Sequence, residues 1–317
     1  MNWLLWRQHR NGAVVFLAIT LAFAIALWIT GVHMAHLYDS ARQSCTVGSG
    51  GACDRYLGSL FNGYGAIIDI VHLTLVLPVV LGAFLGATLV ARETEPHTNV
   101  LVWTQGVTRR RWLLTKVAFA LVATLIASGL TSVLVTWWSG TPNSLNGDRF
   151  QGAQFDTQNI VPVAHALFAV ALGIAAGAVL RRVLPAIATT VGVFIAARIV
   201  VAVYLRPRYA AAHVLSTPFD GPVGGAQLAP GSWRISENVV DPSGHVANGP
   251  LRVPDSCVAG SRAGADSCLE RLGFHQVVKF HPASSYWRFQ WTESLLFVGL
   301  AAVLTAVAVL VTLRRDA

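Results

Sequence analysis

The chain has 317 residues, 54% of them hydrophobic and 12% charged, with a formal net charge of +8. A soluble globular domain carries roughly 25% charged residues, so this composition leaves either an unusually apolar core or a membrane protein. The placement of the charge, at the edges of long apolar runs, excludes a basic nucleic-acid patch and decides for the membrane.

The first ten residues, MNWLLWRQHR, put Trp3, Leu4, Leu5 and Trp6 beside Arg7, His9 and Arg10. They predict a short amphipathic helix lying in the inner interface, with plain juxtamembrane anchoring as the simpler alternative. Residues 13–32 (AVVFLAITLAFAIALWITGV) hold no charge, and about 20 helical residues cross about 30 Å of hydrocarbon. Arg7 and Arg10 give this run the look of a signal peptide. It is longer than the usual ~7–15 apolar residues and no small-x-small cleavage site follows, so it reads as an uncleaved span. Similar runs near 66–90, 113–138, 160–180, 183–205 and 291–313 bring the expected spans to six.

The intervening segments differ in character. Residues 37–63 are rich in Gly and Ser around Cys45 and Cys53. The connector 92–112 (RETEPHTNVLVWTQGVTRRRW) combines Arg92, Glu93 and the run Arg109, Arg110, Arg111 with an apolar patch, Val100, Leu101, Val102 and Trp103. Residues 139–158 are turn-rich and predict irregular structure. Arg181 and Arg182 leave so short a link that the fourth and fifth spans should form a tight hairpin. Residues 206–290 are rich in Gly, Pro and Ser, with β-like runs WRIS, LRV and HQVVKF, and predict a small disulfide-pinned domain.

Basic residues fix the expected orientation. With the N-terminus inside, the inner face receives Arg7, Arg10, Arg92, Arg109, Arg110, Arg111, Lys116, Arg181, Arg182, Arg314 and Arg315. The short outer loops receive Arg42, Arg55 and Arg149. That asymmetry predicts both termini inside. Cys45, Cys53, Cys257 and Cys268 then all lie outside, where disulfides persist. Four cysteines allow three pairings; the local one, Cys45–Cys53 with Cys257–Cys268, is preferred because each pair shares a Gly/Ser/Ala-rich loop. Each closure is worth about 2–3 kcal/mol on the chain-entropy model. No C-x-x-C spacing supports the rival reading, a metal site.

Ionisable groups within spans are costly and therefore suspect. Asp69 and His72 sit near the outer end of the second span, Arg198 in the fifth, and Glu293 at the outer start of the sixth. Asp69, Arg198 and Glu293 all fall within about 10 Å of the outer boundary. An Arg198–Asp69 or Arg198–Glu293 ion pair would lock helices, line an outer gate, or serve a proton relay; snorkelling is the simplest alternative. His33, His36 and His165 read as interfacial histidines, with no metal assigned. Gly82/Gly86 and Gly173/Gly177 permit close helix approach, within the chain or at a dimer face. Pro78 and Pro185 are tolerable as a kink or a helix start. The chain has no phosphate-binding G-x-x-x-x-G-K-[ST] loop, no H-E-x-x-H and no G-x-S-x-G.

The stretch 82–117, GAFLGATLVARETEPHTNVLVWTQGVTRRRWLLTKV, resembles the permease subunit of an ABC transporter of the type-2 exporter class. The matching residues are Ala91, Arg92, Glu93, Thr98, Thr104, Gln105, Val107, Thr108, Arg109, Arg111, Trp112, Leu114 and Lys116. His97 stands where the family usually has Gly, and Pro96 is unusual. WRQHR at 6–10, residues 160–182, FIAAR at 194–198 and HPASSYWRFQWTES at 281–294 resemble one actinobacterial-type subgroup. The resemblance implies an all-α polytopic membrane protein of the bacterial plasma membrane, not itself an enzyme. Its motor would be a separate ATPase holding ATP and Mg, and a second copy of the permease would complete it. It also implies that the connector is a coupling helix docked on that ATPase. The coupling residues would be Arg92, Glu93, Thr98, Val100, Leu101, Val102, Trp103, Arg109, Arg110, Arg111, Trp112 and Lys116. The cargo implied is amphiphilic: a drug, lipid or peptide. A receptor whose outer domain reads a ligand, and an ion-coupled secondary transporter, are the alternatives.

Overall fold

The computed structural model describes the backbone of residues 2–46, 63, 67, 69–94, 109–140, 149–150, 152–218, 228–246, 257 and 262–315. Among them six helices are long and apolar enough to cross a bilayer: Ala18–Ser40, Asp69–Arg92, Arg110–Trp138, Val161–Leu180, Val183–Arg208 and Ala283–Arg314. The protein is a multi-pass membrane protein. The first span belongs to one continuous helix, Asn2–Thr46, so the backbone runs unbroken from residues 2–10 into the membrane segment rather than pausing in a separate interfacial helix. The chain divides into two compact units. The first comprises Met1–Leu145, Ala153–Ala196 and Glu293–Ala317; the second comprises Asn146–Gly152 and Ala197–Thr292.

In the first unit the fourth helix, Val161–Leu180, is the central post, buried from Ala164 to Ala178 with few interruptions. A helix that is apolar all round must be covered on every side, and the second and third helices pack directly against it. The other helices show large apolar side chains to the outside: Ile19, Trp28 and Ile29 on the first, Val133 on the third, Leu184 on the fifth, Val303 on the sixth. Such contiguous apolar surface suits lipid or another membrane chain. Several hydroxyls within the helices are satisfied locally. Thr124 and Ser128 donate to the carbonyls of Ala120 and Thr124, one turn back. Near one end, Trp28 and Trp137 stack at 5.3 Å and Trp138 Nε1 donates to Thr30 Oγ1 at 3.1 Å, an aromatic interface anchor.

The hairpin between the fourth and fifth helices is as tight as expected, with two residues between Leu180 and Val183. Arg181 closes it at φ 54° and gives its N–H to the Gly177 carbonyl at 3.0 Å. This left-handed cap is a position that usually selects glycine.

The loop 139–158, expected to be irregular, has order that was not foreseen. Residues Gly152–Thr157 form a short helix with Phe155, Asp156 and Thr157 buried. Asn159 follows at φ 60°, a conformation asparagine tolerates. The Ser132 hydroxyl donates to the Asn159 carbonyl, and Asn159 N–H donates to Thr136 Oγ1 at 2.7 Å. Ser132 lies six residues before Trp138, so the chain dips about 9 Å back alongside the third helix before turning into the fourth.

The second unit makes the fold more than all-α. Strands β1 (His213–Pro218), β2 (Trp233–Val240) and β3 (His275–His281) form an antiparallel sheet in the order β1-β3-β2, with a bulge between Arg234 and Ser236. The runs WRIS and HQVVKF fall on β2 and β3; β1 was not anticipated, and LRV lies outside the described residues. Helix Arg262–Arg271 sets Leu269 against Val239 and Phe274. Cys257 and Cys268 are joined across a sequence separation of 11, with Cα atoms 5.6 Å apart. The expected Cys45–Cys53 pair lies outside the described residues. Replacing both Cys257 and Cys268 with serine should cost this unit about 2–3 kcal/mol, the entropy of so short a closure. Limited proteolysis at rising temperature would read it, and unchanged resistance would refute it.

The second unit is filled by aromatic rings. Phe150 stacks on Trp233 at 5.8 Å and meets Tyr286 and Phe289 edge-on. His281 packs on Phe289 at 4.8 Å. The His281 ring is buried; its Nε2–H donates to the Pro207 carbonyl at 3.1 Å while Nδ1 has no partner among the described residues. Burial holds its pKa below the ordinary 6.5, assisted by the charge of His213 and opposed by the Pro207 bond. A second proton would put an unsolvated charge on Nδ1. The unfolded chain therefore takes up protons before the folded one, and stability is lost as pH falls below 6.5. His281→Phe should flatten that acid limb in a thermal-unfolding series against pH; an unaltered limb would contradict it.

Candidate functional site

At one end of the first unit the second helix finishes and the third begins. Leu89 and Val90 pack with Trp112, Leu113 and Val117, and against Val170, Ile174, Ala175, Ala178 and Ala308. The chain thus leaves and rejoins the bundle at adjacent points, and the same end carries the Arg181–Arg182 turn and Arg314. Arg92, Arg110, Arg111, Arg182 and Arg314 are all exposed there.

The coupling residues expected from the resemblance divide into three groups. Arg92, Arg110 and Arg111 stand on the surface. Trp112 and Lys116 do not: both are buried in the bundle, with Lys116 Nζ 4.6 Å from the Trp112 ring centroid. They anchor the start of the third helix, because the helix turns that face inward. Thr98, Val100, Leu101, Val102 and Trp103 lie outside the described residues, as do the side chains of Glu93 and Arg109.

The second helix is irregular where it meets the fourth. It passes through a tight 3₁₀ turn at Leu73–Val76, a short α segment at Leu77–Val80 and a wide π segment at Leu81–Ala87, then resumes as α over Thr88–Thr94. The π segment carries Gly82 and Gly86 onto Gly173 and Gly177 of the fourth helix, so the small-residue pairs pack on each other within the chain. A Cβ on Gly82 would stand 2.7 Å from the Ala169 carbonyl oxygen, and one on Gly177 the same distance from that of Ala87. A Cβ on Gly173 would run into the Gly82 carbonyl oxygen and lie 2.6 Å from the Ala87 nitrogen.

Towards the other end a buried polar layer crosses the unit. His165 Nε2 lies 3.2 Å from Glu293 Oε1, with the two side chains 2% and 0% exposed. Phe297 stands edge-on to His165 at 4.5 Å and contacts Phe168, which stacks near Phe194. Asp156, Thr157, Gln158 and Ser132 are buried in the same unit, and Ser294 Oγ is buried with no partner among the described residues. Ionisable groups buried among apolar helices are costly and rare.

Of the residues expected to form the outer polar layer, Glu293 is fully buried while Asp69 is exposed and His72 half-buried. Arg198 is half-buried and belongs to the second unit. His165 was passed over as interfacial. The signal was available in depth: it lies four residues into its helix and Glu293 seven into its own, about 6 and 10 Å from helix starts at the same end. Among the described residues no group of three His, Cys, Asp or Glu is arranged to hold a metal ion.

No curated protein and no solved structure matches the chain. A family model described as ABC-2 membrane transporter related matches residues 17–206, more than half of the sequence and including the connector, the glycine seam and His165. The chain belongs to the ABC-2 membrane transporter related family.

Proposed function

We propose that the protein is the permease subunit of an ATP-driven exporter, coupled through residues 92–112 to a separate ATPase and working with a second copy of itself. The observation that carries this reading is the family match across the first five helices, connector included. The bundle end described above adds support. Exposed arginines flank the connector where it leaves and rejoins the bundle, and apolar packing fixes both points. The same concentration of arginines favours an inner location for that end. Arg92, Arg110 and Arg111 then face acidic groups of the ATPase or lipid phosphates, and Val100–Trp103 supply the apolar part of the contact. Closure of the ATPase on ATP would shift the bundle between inward- and outward-facing states. The His165–Glu293 layer would act near the outer exit, and the cargo is amphiphilic.

Purification of the full chain from native membranes, with co-purifying P-loop ATPases identified by mass spectrometry, tests this. A stable complex should form, and removing Val100–Trp103 should abolish both association and ATP-dependent export. A chain that moves cargo with no ATPase would instead be the ion-coupled transporter to which a buried His–Glu pair also lends itself. A chain that binds a ligand outside and moves nothing would be a receptor.

A further inference from the structure

The second helix leads directly to the connector, yet it is not built as a rigid rod. Its 3₁₀ turn at Leu73–Val76 is over-wound and its π segment at Leu81–Ala87 is under-wound. Such departures within a helix mark hinges or functional sites. Pro78 accounts for the 3₁₀ turn, since the Thr74 carbonyl four residues before it loses its helical donor, but it lies ahead of the π segment and does not account for that. The π segment lies on the fourth helix at backbone contact. Gly82, Ala83, Gly86 and Ala87 are buried there, while Phe84, between them, is exposed. Along the seam the contact is between glycine backbones, and Leu81 and Leu85 pack beside it against the core that includes Val170 and Ile174, so few side chains need to reorient when the segment twists. The fourth helix opposite is regular over Val161–Leu180 and buried on nearly all sides.

We propose that Leu81–Ala87 is a torsional hinge. Movement delivered at the connector turns Thr88–Thr94 about the fourth helix, the π segment absorbs the turn by exchanging i→i+5 for i→i+4 hydrogen bonds, and residues 69–80 stay in place. This rests on the coupling reading above, since the connector is taken as the source of the motion. The hinge converts a local push into rotation of one helix end instead of displacement of the whole helix. The far-end layer of His165 and Glu293 is then reached through the other helices, not through the second.

Spin labels carried by a keto amino acid, which spares the native cysteines, report the two halves separately. One pair joins Arg92 to Val179 and the other Leu73 to Val133, all exposed positions. In the full permease–ATPase complex in lipid nanodiscs, adding ATP should change the dipolar spectrum of the first pair and leave the second unchanged. Equal changes in both pairs mean a rigid helix and overturn the hinge. No change in the first pair, with ATP being hydrolysed, removes the coupling reading and the hinge with it. Deleting Phe84 shortens the π segment by one residue and should let the second pair respond. Export should then fall about tenfold, within the usual range of coupling losses, while the ATPase still co-purifies. Export at the wild-type rate with a stationary second pair would also overturn it.

Discussion

Glu293→Leu should lower the stability of the bundle by about 1–3 kcal/mol, the cost of removing one partner from a buried hydrogen-bonded pair. The carboxylate is fully buried and 3.2 Å from His165. Phe297 sets an edge against the imidazole, so the substitution leaves the histidine facing apolar groups on that side. His165→Leu should cost a similar amount for the converse reason. The double replacement should lose less than the two singles together, with a coupling of about 1–3 kcal/mol in the double-mutant cycle. The measurement is unfolding of the detergent-solubilised protein. Strict additivity would mean that the two side chains are neighbours without an energetic link. Glu293→Gln keeps a hydrogen-bonding group in place and should fall between wild type and leucine, separating loss of charge from loss of contact.

Gly173→Leu is expected to be more damaging still. Its Cβ alone would overlap the Gly82 carbonyl oxygen and the Ala87 backbone nitrogen. Over-packing in a core that can relax costs about 1–3 kcal/mol, but here the obstacle is main chain on a helix already committed to π geometry. The two helices must separate, and the packing of Val170, Ile174 and Ala178 with Leu89 and Val90 goes with them. Expression should fall to aggregate, read by size-exclusion chromatography of a fluorescent fusion. Gly192, on the fifth helix, has open space where a Cβ would go. Gly192→Leu should therefore express normally, and failure of both would show that the assay reports hydrophobic load rather than the seam.

Long uncharged runs gave away the six spans because about 30 Å of hydrocarbon demands some 20 apolar residues whatever the neighbours are. The two-arginine hairpin and the Cys257–Cys268 pair were legible for the same reason, being local. Gly82, Gly86, Gly173 and Gly177 were visible as contact points, but their partners were not, because spacing along a helix says nothing of which helix lies opposite. That His165 and Glu293 meet was hidden in the same way, since they lie 128 positions apart, although the depth of each was legible. Trp112 and Lys116 were placed with the docking surface because a family motif records residues and not the faces they turn inward. The strand at His213–Pro218 gave little warning, since it is short, largely exposed and ends in proline.

Phe150 sets a condition on biosynthesis. It is buried among Trp233, Tyr286 and Phe289, yet the ribosome makes it far earlier than any of them. At about 5–20 residues per second, on the order of ten seconds separate its emergence from that of Phe289. Until then the loop must hold an apolar ring with nothing to cover it. The second unit therefore closes only as the last helix is made, and a fragment spanning residues 206–290 alone would be born without part of its own core. An isolated second unit for binding studies would have to carry residues 146–152 with it, grafted through a linker.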